Sequence, residues 1–137
     1  MKKILTASLL IIICISLISC NTVAKEGLWE NATYRKDKEF GKGETTIYVE
    51  VSAGDESITF TINTDKKTVG DALKEYDLID GEDSQYGLYL KTVNGITADF
   101  DKDQSYWAFY INGEYAMSGV DTTDISAGAK YKLEYTK

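Results

Sequence analysis

From Thr45 to Asn63 the chain alternates with a period of two: Ile47, Val49, Val51, Ile58, Phe60 and Ile62 fall on one side, and Thr46, Tyr48, Glu50, Thr59, Thr61 and Asn63 on the other. Only a strand with one face buried reads this way, because successive side chains point to opposite faces of the pleat. Ala53-Gly54-Asp55-Glu56 supplies turn residues between the two runs, so they form a hairpin whose apolar face needs a cover.

The period changes at Thr68. Val69, Ala72, Leu73 and Tyr76 fall at i, i+3, i+4 and i+7, one apolar stripe of a helix, with Thr68 placed to cap its start and Asp71 at the third position of a capping box. Gly81 bounds the helix. Leu88 and Leu90 then alternate with Tyr89 and Lys91, and Asn94-Gly95 turns the chain toward Ile96 and Ala98. Residues 106–111 form an aromatic strand, Asn112-Gly113 is a second tight turn, residues 114–117 return, and Tyr131, Leu133 and Tyr135 alternate in a last strand. Hairpin, helix and further hairpins predict an α+β fold, a β-grasp-like mixed sheet of hairpins covered by one helix. A ferredoxin-like sandwich needs a second amphipathic helix, and residues 118–128 are too polar and too glycine-bounded to provide it.

Lys2 and Lys3 precede an apolar run over residues 5–18 that ends in Leu17-Ile18-Ser19-Cys20. The run is short for a bilayer span, and a small residue before a cysteine is where a lipoprotein signal peptidase cuts once diacylglycerol is joined to the thiol. Residues 1–19 therefore read as a lipoprotein signal peptide and Cys20 as the lipidated mature terminus, exported and anchored to the outer face of a bacterial cell membrane. Residues 20–43 read as a lipidated tether, with residues 28–34 apolar enough for a short edge strand, and residues 44–137 as the folded domain. Cys14 leaves with the signal and Cys20 is acylated, so no disulfide staples the fold.

Cleavage leaves 13 basic and 22 acidic residues, a net charge of −9, which opposes phosphate backbones and makes nucleic acid an unsuitable partner. The chain has no histidine, the commonest general base and transition-metal ligand. No serine, lysine or carboxylate stands in a nucleophile-elbow or Ser-x-x-Lys setting, so the expectation is a protein without catalytic residues. Asp99-Phe100-Asp101-Lys102-Asp103 begins like a calcium loop, but Gln104 replaces the glycine and Tyr110 the closing glutamate, so no metal site and no cofactor are expected.

Tyr106-Trp107-Ala108-Phe109-Tyr110-Ile111 carries aromatics on both faces: Trp107, Phe109 and Ile111 on one, Tyr106 and Tyr110 on the other. One set can fill the core, and the other can decorate the sheet or offer a platform to a ligand. This strand with Asn112-Gly113, then Met117-Ser118-Gly119-Val120 and the terminal strand, resembles the C-terminal β-grasp domain of the transcobalamin and intrinsic factor family, over residues 45–137. The resemblance implies a non-catalytic ligand-binding module that contacts cobalamin or a related corrinoid through Phe109, Tyr110, Met117, Ser118, Gly119 and Val120, with cobalamin as ligand rather than cofactor. The family's large helical domain has no counterpart here, and a surface that covers one side of a large ligand binds it weakly. The alternative is an interaction module that docks a transporter or another surface protein.

Replacing Cys20 with Ser is expected to release the protein from the membrane fraction or leave it unprocessed. Full membrane partitioning of a processed Cys20→Ser protein would refute the lipid anchor.

Overall fold

A computed structural model describes residues 27–137; the signal peptide, Cys20 and the first part of the tether lie outside the described residues. The described residues begin with a 3-10 turn at Leu28–Asn31 and a short strand, β1 (Lys38–Phe40). The edge strand expected over residues 28–34 is thus displaced to Lys38–Phe40, where it pairs parallel to β3 (Glu56–Thr64). β2 (Thr45–Ala53) and β3 form the expected hairpin in register from Thr45↔Thr64 to Ala53↔Glu56, with Ile47, Val49, Val51, Phe60 and Ile62 buried. Gly54, at φ 63, begins its two-residue turn.

Helix α1 (Val69–Lys74) starts where the sequence places it, with the Thr68 hydroxyl oxygen accepting from the Asp71 N–H at 3.2 Å. It stops well short of Gly81. Asp77 takes the left-handed conformation (φ 53), and the Asp77 and Leu78 N–H groups return to the carbonyls of Lys74 and Leu73, closing the last turn. Tyr76, the end of the predicted stripe, lies past the helix and stacks on Phe40 with ring centroids 4.8 Å apart.

Next comes a strand that periodicity does not announce, β4 (Ile79–Ser84), paired with β5 (Gly87–Val93). β5 meets β6 (Ile96–Thr97) only at Thr92 and Val93, so the main partner of Leu88 and Leu90 is β4, not the segment after Asn94-Gly95. A short helix, α2 (Phe100–Asp103), occupies the expected connecting loop, capped by the Asp99 carboxylate on the Lys102 N–H. β7 (Tyr106–Ile111), β8 (Glu114–Tyr115) and β9 (Lys130–Thr136) complete the chain. Asn112 and Gly113, at φ 49 and 86, form the primed turn that matches strand twist.

Among the described residues the strands form a six-stranded mixed sheet in the order β1-β3-β2-β9-β7-β8 and a three-stranded sheet in the order β4-β5-β6. The architecture is α+β. The core lies on the inner face of the large sheet, where Ile47, Phe60, Ile62 and Leu133 meet Leu73 of α1 and Leu78 behind it.

Residues assigned to the tether complete this core. Trp29 and Phe40 are buried, the Trp29 indole N–H donates to the Ala53 carbonyl at 2.8 Å, and Tyr34 packs edge-on to Phe40 and Phe60. Asn94 fastens the segment. Fully buried, it accepts from the Tyr34 N–H at 2.9 Å and donates to the Tyr34 carbonyl at 2.8 Å, while its own carbonyl accepts from the Thr33 N–H. Gly95 follows because a Cβ there would sit 2.4 Å from the Asn31 carbonyl oxygen.

Asn94→Ala strands both Tyr34 backbone groups and forces alanine to the left-handed φ, so a loss of about 3 kcal/mol in urea unfolding is expected. A loss under about 0.5 kcal/mol, the range of ordinary surface positions, would show that the clasp does not hold the segment.

Candidate functional site

β7 pairs along its whole length with β9, but β8 covers only Tyr110 and Ile111 on its other side, extended by the Ala116 N–H on the Phe109 carbonyl at 2.9 Å. Backbone groups alternate sides along a strand, so the N–H and C=O of Trp107 point the same way as those of Phe109, away from β9. Among the described residues no strand pairs with them there. The start of β7 is set by buried Ser105, whose hydroxyl accepts from the Asp99 N–H at 2.8 Å and donates to the Asp103 carboxylate.

Beside this open edge is a cleft of about 250 Å³. Leu88, Tyr89 and Leu90 of β5 form one wall, Tyr106, Trp107 and Phe109 the other, and Tyr115, Ala116 and residues 118–120 close the end. The closing loop is rigidly tied. The Thr123 hydroxyl donates to the Gly119 carbonyl at 2.7 Å and shares a 2.8 Å hydrogen bond with Ser118, and a 3-10 turn at Val120–Thr122 buries Val120. Asp121 joins loop to wall by accepting from the Leu88 N–H at 2.8 Å. Gly87 leaves room for that carboxylate, since a Cβ there would sit 2.7 Å from Asp121 Oδ1.

Two buried polar side-chain atoms among the described residues have no partner: Trp107 Nε1, on a side chain that lines the cleft, and Asp121 Oδ1, behind the closing loop. A buried donor without an acceptor costs about 1–3 kcal/mol, so the Trp107 indole carries an unmet hydrogen bond beside the cleft.

Of the residues predicted to bind, Phe109, Ser118, Gly119 and Val120 line this cleft. Tyr110 does not; alternation turns it to the outer face of the sheet, edge-on to Tyr115 at 5.6 Å and beneath the Lys132 ammonium at 5.9 Å. Met117 is 98% exposed and outside the lining, because β8 ends at Tyr115 and the chain leaves the sheet before reaching it. Leu88 and Leu90 join the site unpredicted, since their alternation was visible but not the wall they face, and Trp107 joins from the aromatic strand already read as a platform for a ligand. Among the described residues no three histidine, cysteine or carboxylate side chains converge on a point, and Asp99 and Asp103 are engaged as cap and serine acceptor.

An α+β domain with a cleft at the unpaired edge of an aromatic strand is what fold and site define. The chain belongs to the family described as domain of unknown function DUF4430, whose model matches residues 66–137, from the approach to α1 to the end of β9. It is similar to the crystal structure of a supposed metal-binding protein from Ruminococcus gnavus ATCC 29149, with 36% identity and a TM-score of 0.65 over 69% of this chain and 98% of that one. A second similar structure is haptocorrin in complex with Cbi, at 20% identity and a TM-score of 0.49, covering 72% of this chain and 27% of that one. No curated protein matches the chain.

Hydrogen bonds from the Ser105 hydroxyl and N–H, with Lys137 nearby, hold the Asp103 carboxyl below the ordinary carboxylate range. A depressed folded pKa contributes stability that is present above the unfolded value of about 3.9 and is lost as pH falls below it. Wild-type protein is therefore expected to lose more stability than Asp103→Asn between about pH 6 and pH 3. Parallel falls in the two urea midpoints would show that this carboxylate does not steady the start of β7.

Proposed function

We propose that this chain is a non-catalytic ligand-binding module, tethered through lipidated Cys20 at the outer face of a bacterial membrane, whose cleft beside β7 lies against one edge of a corrinoid such as cobalamin. The observation that carries the reading is the cleft itself: apolar, open, walled by Leu88, Leu90, Trp107 and Phe109, and supplied with an indole N–H that lacks an acceptor. At about 250 Å³ it falls below the roughly 300–1,000 Å³ of sites that enclose a small molecule, so it suits the rim of a larger ligand. A corrinoid fits that description, with an apolar ring edged by amide carbonyls able to accept from Trp107.

The strand order β3-β2-β9-β7-β8, with β2 and β9 parallel at its centre, is consistent with a β-grasp and supports the transcobalamin-like reading. With no histidine in the chain, imidazole does not ligate the cobalt, and recognition rests on shape and on hydrogen bonds to the side amides. A metal carried inside a macrocycle needs no converging side-chain ligands, which reconciles this site with the metal binding supposed for the Ruminococcus protein.

One observation favours the second reading, a module that docks a transporter or surface protein: the unpaired backbone of Trp107 is a place for an extended segment to add as a strand. Equilibrium dialysis against cobalamin and cobinamide separates the two. A micromolar Kd is expected, because only one side of the ligand is covered. Trp107→Phe is expected to weaken binding about tenfold, the worth of one hydrogen bond of about 1.4 kcal/mol, and Tyr110→Ala to leave it unchanged. No saturable binding by about 1 mM corrinoid would sink this reading and leave the docking module.

A further inference from the structure

The outer face of the large sheet carries a second depression, about 560 Å³ in volume, lined by Tyr48, Glu50, Thr59, Asn112, Lys130 and Lys132 among others. Register builds it. Thr59, Glu50, Lys132 and Tyr110 stand side by side across β3, β2, β9 and β7, and Thr61, Tyr48 and Lys130 form the adjoining row. The two rows meet at the Asn112-Gly113 turn, where the Asn112 carbonyl oxygen Oδ1 accepts from the Lys130 N–H at 3.0 Å and leaves its amide donors unused.

The chemistry of this face is distinct from that of the β7 cleft. Tyr48 is 39% exposed in mid-strand, so an aromatic ring lies open to solvent beside charged and amide side chains. Among the described residues the Glu50 carboxylate accepts no hydrogen bond, although it is partly buried at the centre of the depression. Lys132 beside it is committed to Glu134 at 2.7 Å, with its ammonium over the Tyr110 ring. Lys130 and the Asn112 amide are left as donors around a free acceptor.

The open lining of the depression is largely apolar, but a ligand without polar groups would cover Glu50, Asn112 and Lys130 and leave them without partners. An anion meets Glu50 and Glu134 on a chain of net charge −7, which also excludes nucleic acid. What remains is a neutral ligand with one flat apolar face and many hydroxyls, because a carboxylate accepts two hydroxyl donors at once while amide and ammonium groups donate to the others. The volume lies within the about 300–1,000 Å³ of small-molecule sites and suits one or two sugar rings.

We infer that the outer sheet face, centred on Tyr48 and Glu50, is a binding site for neutral oligosaccharide, with a pyranose ring stacked on Tyr48 and its hydroxyls held by Glu50, Asn112 and Lys130. The site is independent of the β7 cleft and operates whether or not that cleft takes a corrinoid.

The test is a two-dimensional amide NMR titration of the full chain, in a detergent without a sugar headgroup, against cellohexaose, xylohexaose, mannohexaose and chitohexaose in turn. Saturable shifts confined to Tyr48, Glu50, Thr59, Asn112 and Lys130 are expected with at least one of them, at a Kd of about 1 mM or tighter. Tyr48→Ala and Glu50→Gln are each expected to weaken it at least about fivefold, whereas Tyr86→Ala, a fully solvated aromatic elsewhere, leaves it unchanged. The variants' own spectra report their folding. Absence of saturable shifts with all four sugars at about 10 mM, shifts located in the β7 cleft, or binding indifferent to both folded variants would overturn the assignment.

Discussion

β2 and β9 lie side by side and parallel, Tyr48 to Ser52 against Lys130 to Glu134, and every other part of the molecule is arranged around that contact. No tight turn can join parallel neighbours, so the intervening chain, with its helix, second sheet and hairpin, serves as the connection that lets the central ladder close. β9 then supplies the template for β7, and β7 for β8. Such dependence on distant pairings slows folding relative to a chain of local contacts, since loop closure precedes the reward. Burial of Val49, Val51, Tyr131 and Leu133 in the middle of the sheet compensates, in the described residues, for the missing disulfide.

What was legible in the sequence is what local chemistry dictates. The β2–β3 alternation, the two Asn-Gly turns and the Thr68 cap each depend on a few adjacent residues. β4 was not legible, because Asp80, Glu82, Asp83 and Ser84 are exposed, Gly81 has no side chain and only Ile79 is buried; its strand character comes from pairing with β5. The sequence set only an outer limit for α1 at Gly81, and the helix ends earlier because Asp77, rather than a glycine, takes the left-handed turn. The apolar residues of 28–34 suggested an edge strand there, but not the contacts that order the segment, because Trp29 to Ala53 and Tyr34 to Asn94 span at least twenty-four positions of sequence.

The candidate cleft divides in the same way. Phe109 and residues 118–120 could be named from the strand and loop that carry them, but the opposite wall belongs to a sheet whose pairing the sequence did not disclose. Alternation alone sends Tyr110 to the face opposite Phe109, so a single strand feeds two surfaces of unlike chemistry. One is an apolar edge beside a buried indole donor without an acceptor, the other an open face where an exposed tyrosine stands among carboxylate, amide and ammonium groups.

The indole bond from Trp29 to Ala53 also sets the molecule's bearing. It pins the incoming chain at the end of the sheet where β2 finishes, which is the end where β9 finishes and β7 starts. The Asn112-Gly113 turn lies at the opposite end. A pull applied to the chain at Gly27 is therefore taken up at one pole, and the other pole, with the Asn112 side of the sheet face, is the end farthest from the load.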